Sequence, residues 1–181
     1  AATRATTAGE DELPTRGFVQ IFTTEDNGQT IVPAGGDLAD VKPMTSNGNG
    51  SFSLSGIYLN PNDTYVFLYW ADNAASTAPA PDDMNGVTYT AGTIAFAHRS
   101  DPWNYTTSGN ANISATLTHA VAKVTLKTTT DLEAGSSITV TLPTTYAAYN
   151  VATGAVAGNA ASHDYSFTAT SAITGATDGT E

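Results

Sequence analysis

The sequence predicts an all-β protein, an antiparallel β-sandwich of seven or eight strands. Three observations carry that expectation. The chain holds 31 threonines among 181 residues, and a side chain branched at Cβ is stiff at χ1 and suits a pleated strand better than a helix. Only 13% of residues are charged, about half the usual share, too few to cover the outer faces of soluble helices. Finally, apolar residues recur with period two in short runs bounded by Gly, Pro, Asn and Asp.

Residues 1–12, AATRATTAGEDE, contain nothing apolar larger than Ala and read as a flexible acidic leader. Residues 13–181 then read as a single β-sandwich domain. The first strand is Gly17-Phe-Val-Gln-Ile-Phe-Thr23, closed by the turn signal Glu25-Asp26-Asn27-Gly28. Pro33 to Asn49 reads as loop. Ser51 to Leu59 alternates, with Phe52, Leu54 and Tyr58 on one side. Asn60-Pro61-Asn62-Asp63 should close a hairpin between that strand and the next.

Thr64-Tyr-Val-Phe-Leu-Tyr-Trp70 is apolar at every position after the first. Such a run belongs to a central strand covered on both faces, with Trp70 in the core. Residues 71–86 hold Pro79, Pro81, the adjacent Asp82-Asp83 and Asn85-Gly86 and read as an exposed loop. Val87 to Phe96 follows as a strand with a bend at Gly92. Residues 97–112 read as loop.

The longest regular pattern is 115–128, with Ala120, Ala122, Val124 and Leu126 on one face and His119, Lys123 and Lys127 facing outward. Ile138 to Leu142, a short Tyr149–Val151 segment and Tyr165 to Ala169 complete the strands.

Charge and composition exclude several functions. Six Lys and Arg stand against 17 Asp and Glu, a net charge of −11. That balance disfavours nucleic acid, whose phosphates demand basic partners, and it disfavours anionic membrane surfaces. No apolar run approaches the roughly 18 residues of a bilayer span. With no cysteine there are no disulfides, thiol nucleophiles or thiolate-ligated zinc. The chain opens Ala1-Ala2-Thr3-Arg4, without Met, basic start or apolar h-region, as a trimmed or cut N-terminus does. Four N-x-S/T sequons, at Asn49, Asn62, Asn104 and Asn112, are the number that a Thr- and Asn-rich chain produces by chance.

Chemistry-bearing residues are sparse. His98, His119 and His163 lie in separate segments, and Lys123 shares the presumed face of His119, which would repel a cation. No G-x-S-x-G elbow is present. The acidic groups Glu10-Asp11-Glu12, Asp82-Asp83 and Asp37 with Asp40 lack the spacing of an EF-hand loop. No catalytic residue, metal or cofactor is expected. The residues best suited to a surface contact are Trp103 and Tyr105, in Asp101-Pro-Trp-Asn-Tyr105. Aromatic platforms beside Asp and Asn suit sugars, so a secreted glycan-binding module is one reading of the chain.

Several segments resemble the fimbrillin (Mfa-like) family of Bacteroidales cell-surface proteins, the type V pilins. Leu117-Thr-His119-Ala-Val-Ala122-Lys123-Val124-Thr-Leu126 looks like that family's L-x-H-x-x-A-K-V strand. Tyr65-Val-Phe67-Leu-Tyr-Trp70-Ala71-Asp72 is similar to its Y-x-F-x-F-W-A-D strand. Gly9-Glu10-Asp11-Glu12 before Phe18-Val-Gln-Ile-Phe22 looks like its acidic leader and first strand. Ala148-Tyr149-Asn150-Val151-Ala-Thr-Gly154 is similar to its F-x-V-x-T-G turn.

The resemblance implies a transthyretin-like sandwich, the N-terminal domain of a longer two-domain lipoprotein at the outer membrane, with the lipid-bearing Cys upstream of Ala1. It implies a non-catalytic structural or adhesive subunit whose partners are other fimbrial subunits and host or bacterial surface ligands. It also implies maturation by an Arg-specific protease and assembly by β-strand addition. Arg4 matches the cleavage position. Arg16 is the second candidate, and a cut there would require a strand edge to unfold.

Overall fold

The computed structural model describes residues 13–89, 93–106, 111–121 and 128–175. Among them are eleven β-strands, one 3-10 turn and no α-helix. The strands are β1 (Arg16–Thr23), β2 (Val32–Pro33), β3 (Lys42–Gly48), β4 (Ser51–Ser53), β5 (Thr64–Asp72) and β6 (Val87–Thr88). They continue with β7 (Ala95–Arg99), β8 (Trp103–Asn104), β9 (Thr118–His119), β10 (Ser137–Asn150) and β11 (Ala155–Thr168). The strands pair antiparallel. The expected all-β class is what the chain adopts. An eight-stranded sheet runs β4-β3-β1-β5-β7-β9, with β2 on β1 and β8 on β5; a three-stranded sheet runs β11-β10-β6.

The chain forms two compact units. The first takes its described residues from 1–122 and 147–158, the second from 123–146 and 159–181. The first is organised on β1 and β5, which pair over eight positions from Arg16↔Asp72 to Thr23↔Tyr65. Their side chains alternate between two cores. Phe18, Phe22, Val66, Leu68 and Trp70 point into one, with Met84, Val87 and Val151. Val19, Ile21, Tyr65, Phe67 and Tyr69 point into the other, with Leu54, Ile57 and Leu59 packed on it. Trp70 is 1% exposed, as its place in an uninterrupted apolar run requires.

Polar groups at the ends of this pair are satisfied. Asp72 is 4% exposed. It accepts from Arg16 Nε at 2.8 Å and Nη2 at 3.0 Å, from the Trp70 indole at 3.0 Å and from Ala74 N at 3.1 Å. Arg16 Nη1 also donates to Ala78 O at 2.8 Å, which fastens the loop after β5. Gln20, buried in the middle of β1, donates to Ala39 O and accepts from Met84 N. At the far end, Asn27 and Gly28 both take positive φ, 57° and 85°, which lets the connection between β1 and β2 reverse the chain.

The second unit contains the outer stretch of the β10–β11 hairpin. Ser137 Oγ lies 3.0 Å from Thr168 Oγ1, and Thr139 Oγ1 lies 3.1 Å from Ser166 Oγ. Leu132 and Ile173 form an isolated bridge beyond it.

Several expectations are corrected. The segment 33–49 is not loop throughout: it holds the 3-10 turn Gly36–Ala39 and β3, whose polar sequence KPMTSNG gives no apolar alternation. Residues 51–59 do not form one strand paired with β5. Only Ser51–Ser53 is a strand, and it pairs β3. Gly56, at φ 75°, breaks the alternation, so Ile57 packs inward while Tyr58 is 89% exposed.

Val87 to Phe96 is not one strand either. β6 pairs β10 and β7 pairs β5, in different sheets, and Gly92 lies outside the described residues. Residues 97–112 include the end of β7 and all of β8. The three short segments expected after residue 137 are two strands of fourteen residues each. Residues 143–148 read Pro-Thr-Thr-Tyr-Ala-Ala, so no apolar period marks the continuation of β10 past Leu142.

His119 does not face solvent. Its ring packs 4.3 Å from Phe96, and among the described residues its buried Nε2 has no partner. Ala122 to Lys127 lie outside the described residues.

The Asp72 carboxyl is predicted to carry measurable stability. Burial pushes its pKa up, but the hydrogen bonds from Arg16 and Trp70 and the Arg16 charge outweigh burial and hold it below the ordinary carboxylate range. A depressed folded pKa means that the stabilisation is present above the unfolded pKa and is lost as pH falls through the folded one. Asp72→Ala should lower the unfolding free energy by about 3 kcal/mol, because it strands a largely buried guanidinium. Urea titrations from neutral pH into the acid range should show the two proteins converging as the carboxylate protonates. A constant difference at every pH would contradict this assignment.

Candidate functional site

The residues singled out for a surface contact come together at the start of β5. β8 pairs there, with Tyr65 opposite Trp103 and Thr64 opposite Asn104. Tyr105 N donates to Asp63 O at 3.1 Å, Asn62 N donates to Tyr105 O at 2.5 Å, and Asn104 Nδ2 donates to Thr64 Oγ1 at 3.0 Å. This ladder holds the Trp103 and Tyr105 rings stacked, 5.4 Å apart and 23° from parallel. Trp103 also lies 6.3 Å from Phe67. Both rings are half-buried against the second core, so they support the sheet and present only part of their faces.

Beside them is an open polar cleft of about 460 Å³ lined by Thr24, Glu25, Asn27, Asn62, Asp63 and Thr64. Two turns build it: the one after β1 and the one before β5. Adjacent antiparallel strands bring those turns together, and Thr24 N donates to Thr64 O at 3.0 Å. Asn62 takes φ 72° after Pro61, which turns the chain back into β5.

Asp26 fixes the first turn. Its carboxylate accepts from Thr30 N at 2.7 and 2.9 Å and from Thr24 Oγ1 at 2.9 Å. The bonds from Thr30, side chain and backbone, lead in pulling its pKa to about 2. The carboxylate therefore stays ionised, and able to accept these bonds, at neutral and mildly acid pH. Hydroxyls, amides and two carboxylates along one wall, with a stacked aromatic pair beside it, offer the donors, acceptors and apolar face that a polyhydroxylated ligand uses.

The sequence points to Trp103 and Tyr105 but not to this cleft. The signal lies in the two turn motifs, Glu25-Asp26-Asn27-Gly28 and Asn60-Pro61-Asn62-Asp63. Pairing β1 with β5 places them side by side; pairing β5 with residues 51–59 does not.

None of the remaining candidates that the structure describes is among the residues lining the cleft. Arg4 and Glu10-Asp11-Glu12 lie outside the described residues. Arg16 is engaged by Asp72 and by the carbonyls of Ala75 and Ala78, with its guanidinium 5.3 Å from the Phe18 ring centroid. A protease cleft accepts extended chain, so scission at Arg16 would require this end of β1 to peel from β5.

His98, His119 and His163 each sit beside a different aromatic ring, Tyr69, Phe96 and Tyr165. Asp83 closes its own turn by accepting from Asn85 N and Nδ2. Among the described residues no three His, Asp or Glu side chains gather as a metal site.

The model of a family of unknown function (DUF6562) matches residues 1–180, so the chain belongs to that family. No curated protein and no solved structure matches the chain.

The aromatic pair has a structural role that can be separated from any binding role. Trp103→Ala should lower the unfolding free energy by about 2 kcal/mol, less than a fully buried Trp would cost. Tyr58→Ala, at an equally aromatic but exposed position, should stay within about 0.5 kcal/mol of the parent. Chemical denaturation of the three proteins side by side checks this, and equal losses at both positions would contradict the packing described.

Proposed function

We propose that this member of the DUF6562 family is a non-catalytic, fimbrillin-like subunit of a bacterial cell surface, structural or adhesive, built on a transthyretin-like sandwich. One observation carries the reading. The segments that resemble fimbrillin motifs, far apart in sequence, occupy one sheet: Phe18–Phe22 on β1, Tyr65–Asp72 on β5 and Leu117–His119 running into β9. The Trp70–Ala71–Asp72 segment also has a defined structural task there, since its carboxylate binds Arg16 and the Trp70 indole. The last resembling segment ends in a tight turn, with Gly154 at φ 72° and its N–H on Asn150 O.

In this reading an Arg-specific protease cuts after Arg4 and leaves Arg16 intact. Assembly follows by strand addition, in which main-chain hydrogen bonds supply affinity and alternate side chains supply register. The lipid-bearing Cys lies upstream, and the partners are other subunits and surface ligands. Mass spectrometry of native protein sheared from its source cells tests the maturation step. A mature start at Ala5, together with subunit ladders, is the expected result. A start upstream of Arg4 with lipid attached would overturn maturation by cleavage, and a start at Gly17 would contradict the protection of Arg16.

The stacked Trp103–Tyr105 pair beside the cleft of Asn62, Asp63 and Glu25 favours a second reading, a secreted glycan-binding module. Binding on a glycan array that is lost in Tyr105→Ala with folding retained would favour it. No binding by folded protein would count against it.

A further inference from the structure

The described edges of the two sheets are unequal. The eight-stranded sheet ends on β4, three residues, and on β9, two residues. The three-stranded sheet ends on β11, fourteen residues long, of which thirteen are exposed. Proteins blunt long edges with Lys, Pro or inward-pointing charge. β11, AVAGNAASHDYSFT, has no Lys, Arg or Pro, and Asp164 is its one carboxylate.

Its faces differ. Ser166 and Thr168 meet Thr139 and Ser137 across the hairpin, so Tyr165 and Phe167 stand on the opposite face, where they are 39% and 53% exposed. Ile138 and Val140 occupy the same face of β10 by alternation. β6 pairs β10 only at Ala148 and Tyr149, so this stretch of β10 and β11 is a two-stranded ribbon, which with an open edge and exposed aromatic rings is marginal alone in water.

We infer that β11 pairs antiparallel with β11 of a second copy of this chain, forming a closed two-fold dimer through a continuous sheet. Three features favour a second copy as the occupant. The chain carries a net charge of −11, yet residues 137–168 contain one carboxylate and no Lys or Arg. Two copies therefore meet here with little of the repulsion that other surfaces bring. Pairing about an axis normal to the sheet puts the Tyr165 and Phe167 rows of both copies on one face and the hydroxyl rows on the other, so the edge is self-complementary. Beyond Gly158, whose φ of 81° interrupts the regular strand, the edge from Asn159 to Thr168 offers the ladder of N–H and C=O groups that such pairing uses. The contact is isologous and closes at two. It is independent of the fimbrial reading, in which strand donation runs head to tail and propagates.

The absence of cysteine allows a clean test on the 181-residue chain. Single variants Asn159→Cys, Ser162→Cys and Ser166→Cys along β11 are oxidised beside the loop variant Ser76→Cys. Positions near the two-fold axis should cross-link at least about tenfold faster than the loop position, because pairing raises their effective concentration, and the fastest of the three reports the register.

Sedimentation equilibrium provides the non-covalent readout. The parent should show a monomer–dimer equilibrium below about 1 mM. Ser162→Lys with Ser166→Lys should weaken it at least about tenfold by placing like charges across the pair, while Ser76→Lys should not. Circular dichroism confirms that the variants fold; these positions are exposed and bury no core. A monomer throughout, a dimer indifferent to the lysines, or equal cross-linking at all four positions would overturn the proposal. Capture of a different extended peptide by an otherwise monomeric chain would overturn it too.

Discussion

The bidentate bond between Arg16 and Asp72 is the constraint on which the first unit turns. It fixes the first register pair of β1 and β5, and seven more pairs follow from it without a bulge. A slip of one residue would carry Phe18, Phe22, Leu68 and Trp70 from one core to the other, and it would also leave a buried carboxylate without its guanidinium. The ion pair need not add much net stability over an apolar pair of the same shape. Its effect is on uniqueness, since one register satisfies the charge, the Trp70 indole and the 74–78 loop together.

With that register set, the remaining elements are coverings. β5 is buried on both faces, which is why the sheet needs two cores. The end of β10 at Tyr149 and the 151–152 turn close one side, where Tyr149 lies 6.1 Å from Trp70. The other side is covered largely without strands, by Leu54, Ile57, Leu59, Ala115 and Leu117 together with the Trp103–Tyr105 pair. Aromatic contacts run along it from Tyr65 through Phe67 to Tyr69 and Trp103. The half-buried state of Trp103 follows from this: it is part of a cover, and only its outer edge remains available to a ligand.

What can be read from the sequence is what burial writes into it. β1 and β5 are legible because both faces are apolar, and Trp70 can be placed in the core for the same reason. β3 is not, because a strand with the sequence KPMTSNG hides almost nothing from water. The full lengths of β10 and β11 are not legible, because their side chains are largely Thr, Ser and Ala and the strands are held by backbone bonds. The partner of β5 escapes a local reading because turn signals speak of neighbours in sequence, while β1 reaches β5 across a long intervening stretch of chain. The candidate site divides the same way. Its aromatic rings stand out by residue type, but its cleft exists only after that long-range pairing.

The placement of charge joins these points. Among the described residues, Asp72 and Asp164 are the two carboxylates that lie in strands; the others occupy turns and loops. Asp72 is neutralised by Arg16, so the strand surfaces of a strongly acidic chain are almost uncharged and clothed in hydroxyls and small side chains. Net charge keeps such a protein dispersed by long-range repulsion, and concentrating it in turns leaves the sheets free to approach one another where turns do not intervene. A sheet edge with this character forms specific contacts by backbone geometry and side-chain register more than by ion pairs. In the dimer inferred above, salt would act on encounter through the acidic turns, by screening them, and would act little on the paired strands themselves.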